Sequence, residues 1–330
     1  MRIRLIATGG TIASVPGADG LAPALTAGEL LACVPMPAGA QVDCLDLYNM
    51  DSSNIQPEEW LGIARAVDES VRAGYDAAVI THGTDTMAYT ASMLTFLLQN
   101  APIPVILTGS QLPVIRPDSD GRANLKHALL AAAKLRHGVL ICFGNAVIQG
   151  CRAVKTRTTS LNAFESINYP YIGTVVDDRF YELFTPPETG AYRYYDTLES
   201  RVALIKLIPG ASPALLESVL HCDSKGLVVE AFGLGGVHNF RRDHAESIRK
   251  IIAAGVPVVL STQCLYESSS PDVYAVGRPL IEAGVIPAHD MTREAAVTKL
   301  MWALAQSDDP AEVARLMRTD FCGEISAPAR

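Results

Sequence analysis

The stretch Ile3–Ser14, IRLIATGGTIAS, joins a short apolar run to two glycines and a threonine. The run is too short for a helix and rich in aliphatic residues, so we predict a buried strand. Paired glycines allow a tight turn and a close approach by another backbone segment. In open parallel sheets the ligand lies at the carboxyl ends of the strands. Thr11 therefore stands where a ligand is expected.

Similar apolar runs alternate along the chain with segments whose apolar residues recur at helical spacing. The runs of the first half include AAVITH (77–82), PVILTG (104–109) and GVLICF (138–143). One helical segment begins at Pro57, a residue suited to the first helical position, and Trp60, Ala64 and Val67 follow at intervals of three or four. This alternation predicts βαβ units and a doubly wound, mostly parallel sheet covered on both faces.

The segment from Phe184 to Ser200 interrupts the alternation with Pro, Gly and Tyr, a composition typical of a linker. Strand and helix patterns resume after it. Because 330 residues exceed what one core usually serves, we expect two domains. We predict an N-terminal α/β catalytic domain over 1–184, a linker over 185–199 and a smaller C-terminal α/β domain over 200–330.

Composition and charge exclude several classes of protein. The formal net charge is -8 and no Lys/Arg cluster is longer than a pair, which disfavours a nucleic-acid partner. The first apolar run is too short for a signal peptide and no apolar stretch is long enough for a bilayer, so we expect a cytoplasmic protein with no membrane partner. The 7 cysteines form no CxxC pair, and we expect mostly buried thiols without a disulfide framework.

Metal and nucleotide sites have little support in the sequence. The 7 histidines show no HExxH or similar ligand spacing, and each is more simply explained as a surface or packed residue. The glycine-rich segment TGGTIAS (8–14) lacks the G-x-G-x-x-G spacing of a dinucleotide fold and the G-K-[ST] ending of a phosphate loop. A nucleotide-binding α/β module therefore stays a weak alternative.

Hydroxyl groups, in contrast, follow four strand ends of the first domain. They occur in TGGT (8–11), MDSSN (50–54), THGTDT (81–86) and TGSQ (108–111). A single such loop is commonly a helix cap, but four at one sheet edge favour a site built on hydroxyl chemistry. A threonine hydroxyl is a weak nucleophile until a base takes its proton, and Asp85 and Lys155 are candidates for that role. The basic segment of Arg152, Lys155 and Arg157, taken alone, is more typical of a solvated loop.

Two of these segments carry a family resemblance. ATGGTIAS (7–14) and ITHGTDTMAYTAS (80–92) resemble the two signature segments of the bacterial-type L-asparaginase and glutaminase family, above all its cytoplasmic type I and archaeal-like members. Further similar segments are MDSSNIQPEEW, VILTGSQLP, NAFESINYP and GVIPAHDMTREAAVTKLMWAL. The resemblance implies a two-domain α/β fold and a homo-oligomer, either a dimer or a dimer of dimers. It also implies hydrolysis of L-asparagine to L-aspartate and ammonia through a threonine acyl-enzyme, with no metal or cofactor.

The resemblance further implies roles for particular residues. Thr11 matches the nucleophile, and the second catalytic group is matched by Thr84, Asp85 and Lys155. Backbone N–H groups of the HGTDT turn would receive the oxyanion. The residues expected to hold the substrate are Asp51, Ser52, Ser53, Gly83, Thr84 and Asp85.

The sequence departs from the family pattern at two places. Many members carry a tyrosine in the mobile loop after the nucleophile, where this chain has Leu21, so we expect the loop 14–23 to be a lid without that tyrosine. Tyr274 is a candidate replacement from a neighbouring subunit, although an interface or core role explains it as well. Secreted members reach the adjacent subunit's substrate with an asparagine, where this chain has Gly236.

Three other functions are compatible with the sequence. A glutaminase-asparaginase of broad specificity is the nearest, because one methylene separates asparagine from glutamine. A non-catalytic amino-acid-binding sensor would fit the missing loop tyrosine, although the four matched catalytic residues are retained. The family's amidase subunit of a tRNA-dependent amidotransferase carries an additional N-terminal module, and the short segment before the first strand of this chain counts against that function.

Overall fold

The computed structural model of the protein describes residues 1–17, 20–187, 189–273 and 277–326. The chain divides into two units, Met1–Asp196 and Thr197–Arg330. Part of the segment expected to be a linker, Arg193–Tyr194, forms a short strand that pairs with Leu98–Gln99. The domain limits inferred from the sequence therefore stay predictions.

The elements of the N-terminal unit are numbered along the chain. Its strands are β1 (Arg2–Gly9), β2 (Ser14–Gly17), β3 (Gly20–Pro23), β4 (Gln41–Met50), β5 (Ala77–Thr81), β6 (Leu98–Gln99), β7 (Pro104–Thr108), β8 (Gly138–Phe143), β9 (Ala146–Gln149), β10 (Ala153–Lys155), β11 (Phe164–Ser166), β12 (Gly173–Val176), β13 (Arg179–Glu182) and β14 (Arg193–Tyr194). Its helices are α1 (Ala27–Ala32), α2 (Pro57–Arg72), α3 (Met87–Leu97) and α4 (Gly121–Ala132).

The main sheet of this unit has its described strands in the order β13-β12-β9-β8-β7-β5-β1-β4. The pairs from β4 to β8 are parallel, and the pairs from β8 to β13 are antiparallel. Leu5 and Ile6 point to opposite faces of β1, and both are fully buried. Leu125 of α4 belongs to the same hydrophobic cluster as Leu5. The predicted doubly wound, mostly parallel sheet is confirmed.

Local sequence explains where α2 begins. The carboxylate of Glu59 accepts a hydrogen bond of 2.8 Å from the backbone N–H of Gln56, and Pro57 occupies the first helical position. Trp60 and Val67 lie on the buried face of the helix. Because α2 starts at this point, the hydroxyl-rich loop 51–55 is held between the end of β4 and the start of the helix.

Two parts of the N-terminal unit differ from the sequence expectation. The sheet is extended by three antiparallel strands, β9, β12 and β13. The sequence pattern did not predict them, because antiparallel strands can be joined by hairpins and need no helix between them. The segment after Thr11 contains the hairpin of β2 and β3, in which Pro16 lies opposite Leu21. Since most of its residues are exposed, the hairpin shows no apolar periodicity.

The expectation of mostly buried cysteines is wrong. Buried thiols belong to Cys142 and Cys151, Cys322 is intermediate, and the exposed ones are Cys33, Cys44, Cys222 and Cys264. These exposed residues lie at a helix end, on the edge strand β4 and in loops, where no second layer of structure covers them. All seven are free thiols.

The C-terminal unit is a smaller α/β fold, as the sequence predicts. Four parallel strands pair in the order β15 (Val202–Lys206), β16 (Gly226–Ala231), β17 (Val258–Thr262) and β18 (Ile286–Pro287) within the described residues. The helices are α5 (Pro213–Glu217), α6 (His244–Ala253), α7 (Arg278–Glu282), α8 (Arg293–Gln306) and α9 (Pro310–Arg318). Across the described parts of the chain, no helix combines the length and the apolar character needed to cross a membrane.

Candidate active site

Glycines bring the end of β1 and the residue after it against two other segments of the chain. Gly9 and Gly10 have φ angles of +100° and +80°, in the left-handed region that favours glycine. A Cβ added to Gly9 would lie 2.5 Å from the carbonyl oxygen of Met50, and one added to Gly10 would overlap the backbone of Gly83. No larger residue could approach so closely. Thr11 therefore follows two glycines that pack against the end of β4 and against the turn after β5.

The loops after β4 and β5 are in turn packed on each other. A Cβ added to Gly83 would lie 2.5 Å from Oγ of Ser52. The hydroxyl of Thr86 donates a hydrogen bond of 2.8 Å to the carbonyl oxygen of Ser52. Three of the four hydroxyl-bearing strand ends found in the sequence thus meet at one place.

Thr11 itself is partly exposed, while its neighbours are anchored. It begins a 3₁₀ turn, Thr11–Ala13, in which Ile12 and Ala13 are buried. The carbonyl oxygen of Ile12 accepts from the backbone N–H of Val114 at 3.2 Å, and the hydroxyl of Ser14 donates to the carbonyl oxygen of Gly10 at 3.1 Å. The Thr11 side chain is therefore carried by a firmly held turn.

The second group of predicted catalytic residues forms a hydrogen-bonded cluster. Nζ of Lys155 donates to Oγ1 of Thr84 at 2.8 Å and to Oδ1 of Asp85 at 2.6 Å. Lys155 ends β10, where it pairs with Phe164 of β11. Its side chain is 16% exposed and that of Asp85 is 63% exposed, so the ion pair opens to solvent on the carboxylate side. Thr84 is buried.

A buried chain of hydrogen bonds supports the turn that carries Thr84. Nδ1 of His82 lies 2.7 Å from the carbonyl oxygen of Gly83, which can only accept, so Nδ1 carries the proton. Nε2 then accepts from the hydroxyl of Thr90 at 3.0 Å, and Oγ1 of Thr90 accepts from Nε1 of Trp60 at 3.0 Å. Burial lowers the pKa of His82 to about 4, so the imidazole is neutral at pH 7. The neutral His82 side chain therefore stabilises the conformation of the turn that carries Thr84.

Gln111 is a site residue that the sequence reasoning missed. Its Oε1 lies 3.3 Å from Oγ1 of Thr84. The buried carboxylate of Asp120 accepts from the backbone N–H groups of Gln111 and Leu112, which fixes the turn after β7. The segment TGSQ stands out in the sequence for its hydroxyls, but the side chain in it that contacts Thr84 is the amide of Gln111. The position of Gln111 at the fourth hydroxyl-bearing strand end is the sequence signal that could have identified it.

The residues expected to hold the substrate differ in exposure. Ser52 is buried and faces Gly83, whereas Asp51 and Ser53 are exposed. Oδ1 of Asp51 accepts from the backbone N–H of Ser53 at 2.8 Å, which caps the short turn Ser52–Asn54. The capping role and a substrate-binding role are compatible, since a carboxylate has a second oxygen and the Asp51 side chain is exposed.

Four other positions were singled out from the sequence. Tyr274 lies outside the described residues. Leu21 is 61% exposed on β3. Gly236 belongs to the C-terminal unit, where its carbonyl oxygen accepts from the N–H of Phe232 at 2.9 Å. Arg152 is fully buried, so this part of the basic segment is a core element and its interpretation as a solvated loop is wrong.

No metal site is found in the described parts of the chain. In residues 1–17, 20–187, 189–273 and 277–326, no group of three His, Cys, Asp or Glu side chains is arranged to hold an ion. The hydroxyl, amide and ammonium groups around Thr84 form a set suited to binding and proton transfer.

Comparison with known families accounts for both units. Residues 2–187 match the family described as Asparaginase, N-terminal, and residues 201–317 match the Glutaminase/Asparaginase C-terminal domain. The chain belongs to the asparaginase and glutaminase family. The membership expected from the two signature segments is thereby confirmed.

Individual relatives of this asparaginase-family chain match it over nearly its whole length. L-asparaginase from Thermococcus kodakarensis is 43% identical over 329 residues, which are 99% of either chain. The solved structure of a thermostable L-asparaginase from Thermococcus kodakarensis has a TM-score of 0.94 at 42% identity, and the match covers 99% of this chain and 100% of that one. L-asparaginase I from Vibrio cholerae has a TM-score of 0.86 at 32% identity, with 99% of both chains covered. A glutamyl-tRNA(Gln) amidotransferase subunit from Pyrococcus furiosus is 36% identical over 98% of this chain and 76% of that protein.

Proposed function

We propose that this chain hydrolyses the side-chain amide of L-asparagine to L-aspartate and ammonia through a threonine acyl-enzyme. The observation that carries the proposal is the meeting of the Thr11 turn with the cluster of Thr84, Asp85 and Lys155 at the carboxyl ends of β1 and β5. Family membership supports an enzyme that acts on amide bonds. The relatives named L-asparaginase support asparagine as the substrate.

In the first step Oγ1 of Thr11 attacks the amide carbon of the substrate. A C–O bond forms as the C–N bond breaks, and the proton of the hydroxyl passes to the leaving nitrogen, which departs as ammonia. The negative charge that develops on the amide oxygen lies near the turn 83–85 and the N-terminus of α3, where backbone N–H groups and the helix dipole favour an anion. The product of the step is an ester between Thr11 and the β-carboxyl of aspartate.

In the second step a water molecule hydrolyses this ester. Thr84 is the group that we assign to orient the water, because its hydroxyl oxygen accepts from Nζ of Lys155 and keeps a lone pair that can accept from the water. The water oxygen bonds to the acyl carbon as the ester C–O bond breaks, a proton of the water passes to Oγ1 of Thr11, and aspartate leaves. Asp85 holds the ammonium of Lys155 in place from its exposed side.

We assign substrate positioning to the loop after β4 and to the turn after β5. The exposed carboxylate of Asp51 suits the α-ammonium group of an amino acid, and the hydroxyls of Ser52 and Ser53 suit its α-carboxylate. Ser52 lies against Gly83, so a ligand held by this loop would be close to both Thr11 and Thr84.

The decisive experiment measures ammonia release from L-asparagine by the wild-type protein, by Thr11→Ala and by Thr174→Ala. Thr174 is a threonine of β12 whose hydroxyl donates to Asn145, and it serves as the matched control. We expect Thr11→Ala to lose on the order of 1000-fold or more in kcat, as removal of a nucleophile does, while the control keeps wild-type activity. A wild-type protein that binds asparagine without releasing ammonia would instead be an amino-acid-binding sensor.

Glutamine hydrolysis is a second candidate, favoured by the family that residues 201–317 match, which is described as the Glutaminase/Asparaginase C-terminal domain. One methylene in a pocket changes kcat/KM by about 10- to 200-fold. We expect kcat/KM for asparagine to exceed that for glutamine by a factor in this range. The reverse preference, measured with the same ammonia assay, would replace asparaginase by glutaminase.

We also propose a cytoplasmic homo-oligomer, a dimer or a dimer of dimers, on the basis of the family. Light scattering on the purified protein measures the mass, and cell fractionation measures the location. A monomer that is fully active on asparagine would contradict the oligomeric part of this proposal.

A further inference from the structure

Gln111 follows β7 and touches two different parts of the candidate site. Its Nε2 donates to the carbonyl oxygens of Thr158 and Ser160 at 2.9 and 3.1 Å. A side-chain amide has two N–H donors, so both are used by these carbonyls and the orientation of the amide is determined. Oε1 therefore points the other way, 3.3 Å from Oγ1 of Thr84.

The chemistry of the amide decides which atom donates in the contact with Thr84. An amide oxygen cannot donate, so the hydroxyl of Thr84 donates to Oε1 of Gln111. The same hydroxyl oxygen accepts from Nζ of Lys155. One lone pair of Thr84 is left for a third partner, and its direction is set jointly by Gln111 and Lys155.

The backbone of Gln111 is held so that this contact is reproducible. Its N–H lies 3.1 and 3.0 Å from the two carboxylate oxygens of Asp120. Asp120 is 9% exposed and also accepts from Nδ2 of Asn124, whose second hydrogen bond goes to the carbonyl oxygen of Gly109. A Cβ added to Gly109 would overlap the carbonyl oxygen of His82, so the turns after β7 and β5 lie directly against each other.

We propose that Gln111 is a positioning residue: it directs the hydroxyl proton of Thr84 and couples that hydroxyl to the loop 156–162, which follows Lys155. The kinetic consequence of this assignment rests on the proposed amide hydrolysis, whereas the tether to the loop does not. A neutral amide suits the role, because it accepts from Thr84 without adding a charge beside the pair of Lys155 and Asp85.

The test compares Gln111→Met with a matched control in the other unit. Nε2 of Gln263 also donates to two backbone carbonyls, those of Leu207 and Glu230, at 2.6 and 3.0 Å. Gln263→Met therefore removes the same pair of amide contacts far along the chain from Thr84. We expect kcat for asparagine to fall about 10- to 100-fold in Gln111→Met with KM changed by less than about threefold, and kcat of the control to stay within about twofold.

A second measurement tests the tether without any use of activity. Arg157 is exposed in the loop 156–162, and trypsin cleaves after arginine. Loss of two backbone-directed hydrogen bonds favours local opening of the loop, so we expect cleavage after Arg157, followed by mass spectrometry, to be about fivefold faster in Gln111→Met and unchanged in Gln263→Met. If the wild-type protein releases no ammonia, the proposed function fails, and the cleavage rates still decide the tether.

A third variant serves if the methionine variant does not fold. Gln111→Glu loses both donors to the loop and places a carboxylate beside the pair of Lys155 and Asp85. We expect fast cleavage after Arg157 together with a kcat below that of wild type. Equal losses of kcat in the Gln111→Met and Gln263→Met proteins, a wild-type kcat in Gln111→Met, or an unchanged cleavage rate after Arg157 in the Gln111 variants would each overturn the assignment.

Discussion

Gly10→Ala tests how the site is assembled, because Gly10 is the point at which the Thr11 turn touches the Thr84 turn. An added Cβ would overlap the backbone of Gly83 and lie 2.8 Å from the carbonyl carbon of His82. Neither neighbour is the end of a flexible side chain, so one of the two turns has to move. Gly74 offers a matched control, since its φ is +72° and an added Cβ would meet nothing within 4 Å.

Gly10→Ala is destabilised both by its backbone conformation and by steric overlap, whereas Gly74→Ala is destabilised only by its backbone conformation. An alanine held at a positive φ costs about 1 to 3 kcal/mol, and Gly10, with φ of +80° and ψ of 179°, lies in a region that essentially only glycine adopts. Overlap with a packed neighbour adds about 1 to 3 kcal/mol. The free energy of unfolding should therefore fall by about 2 to 6 kcal/mol in Gly10→Ala and by about 1 to 3 kcal/mol in Gly74→Ala.

The same overlap should reduce turnover. Relief of the overlap requires the turns of Thr11 and Thr84 to separate by about 1 Å, and a misplacement of that size costs on the order of 100-fold in rate. We expect this loss of kcat in Gly10→Ala, measured as ammonia release at saturating asparagine, and a wild-type kcat in Gly74→Ala. Urea unfolding of both proteins measures the stability terms. A Gly10→Ala protein as stable as the control and as active as wild type would refute the close packing of the two turns.

Three further outcomes are expected. Lys155→Met removes the donor to Thr84 and should lower kcat by about 100-fold or more, measured by ammonia release against folded protein. Burial lowers the pKa of His82 from 6.5 to about 4, so the unfolded chain binds more protons than the folded chain between these pH values. The free energy of unfolding should therefore fall by about 3 kcal/mol from pH 7 to pH 4. Urea titrations of His82→Gln should lack this pH dependence. Burial raises the pKa of Glu294 from 4.5 to about 7, so stability is lost as the pH rises from 4.5 to 7. Glu294→Gln should therefore be more stable than wild type at pH 8, by about 1 to 3 kcal/mol. This difference should be gone at about pH 4.

Residues whose role follows from local pattern could be predicted from the sequence. The strand that ends at Thr11, the helix that begins at Pro57 and the strand before the turn of Thr84 are all found where apolar spacing and turn residues predict them. In a parallel sheet, the order of strands and helices is enough to send these ends to one edge. The resemblance of two short segments to known signatures then identified the family.

Contacts between distant residues could not be predicted in this way. Thr84 meets Gln111 and Lys155 across separations of 27 and 71 residues, and no local periodicity reports such a pairing. The exposure of Cys44 depends on its position at the sheet edge, which is known only once the strands are ordered.

The sequence by itself determined the alternating α/β architecture, the strand ends that carry hydroxyls and the family to which the chain belongs. Apolar spacing and turn residues specify these features because they act over a few neighbouring residues. Only the tertiary structure decided that Gly10 packs on Gly83, that the buried His82 imidazole supports the turn of Thr84, and that the amide of Gln111 faces Thr84. Those contacts depend on the mutual packing of segments far apart in the chain, where the shape and donor pattern of each surface select its partner.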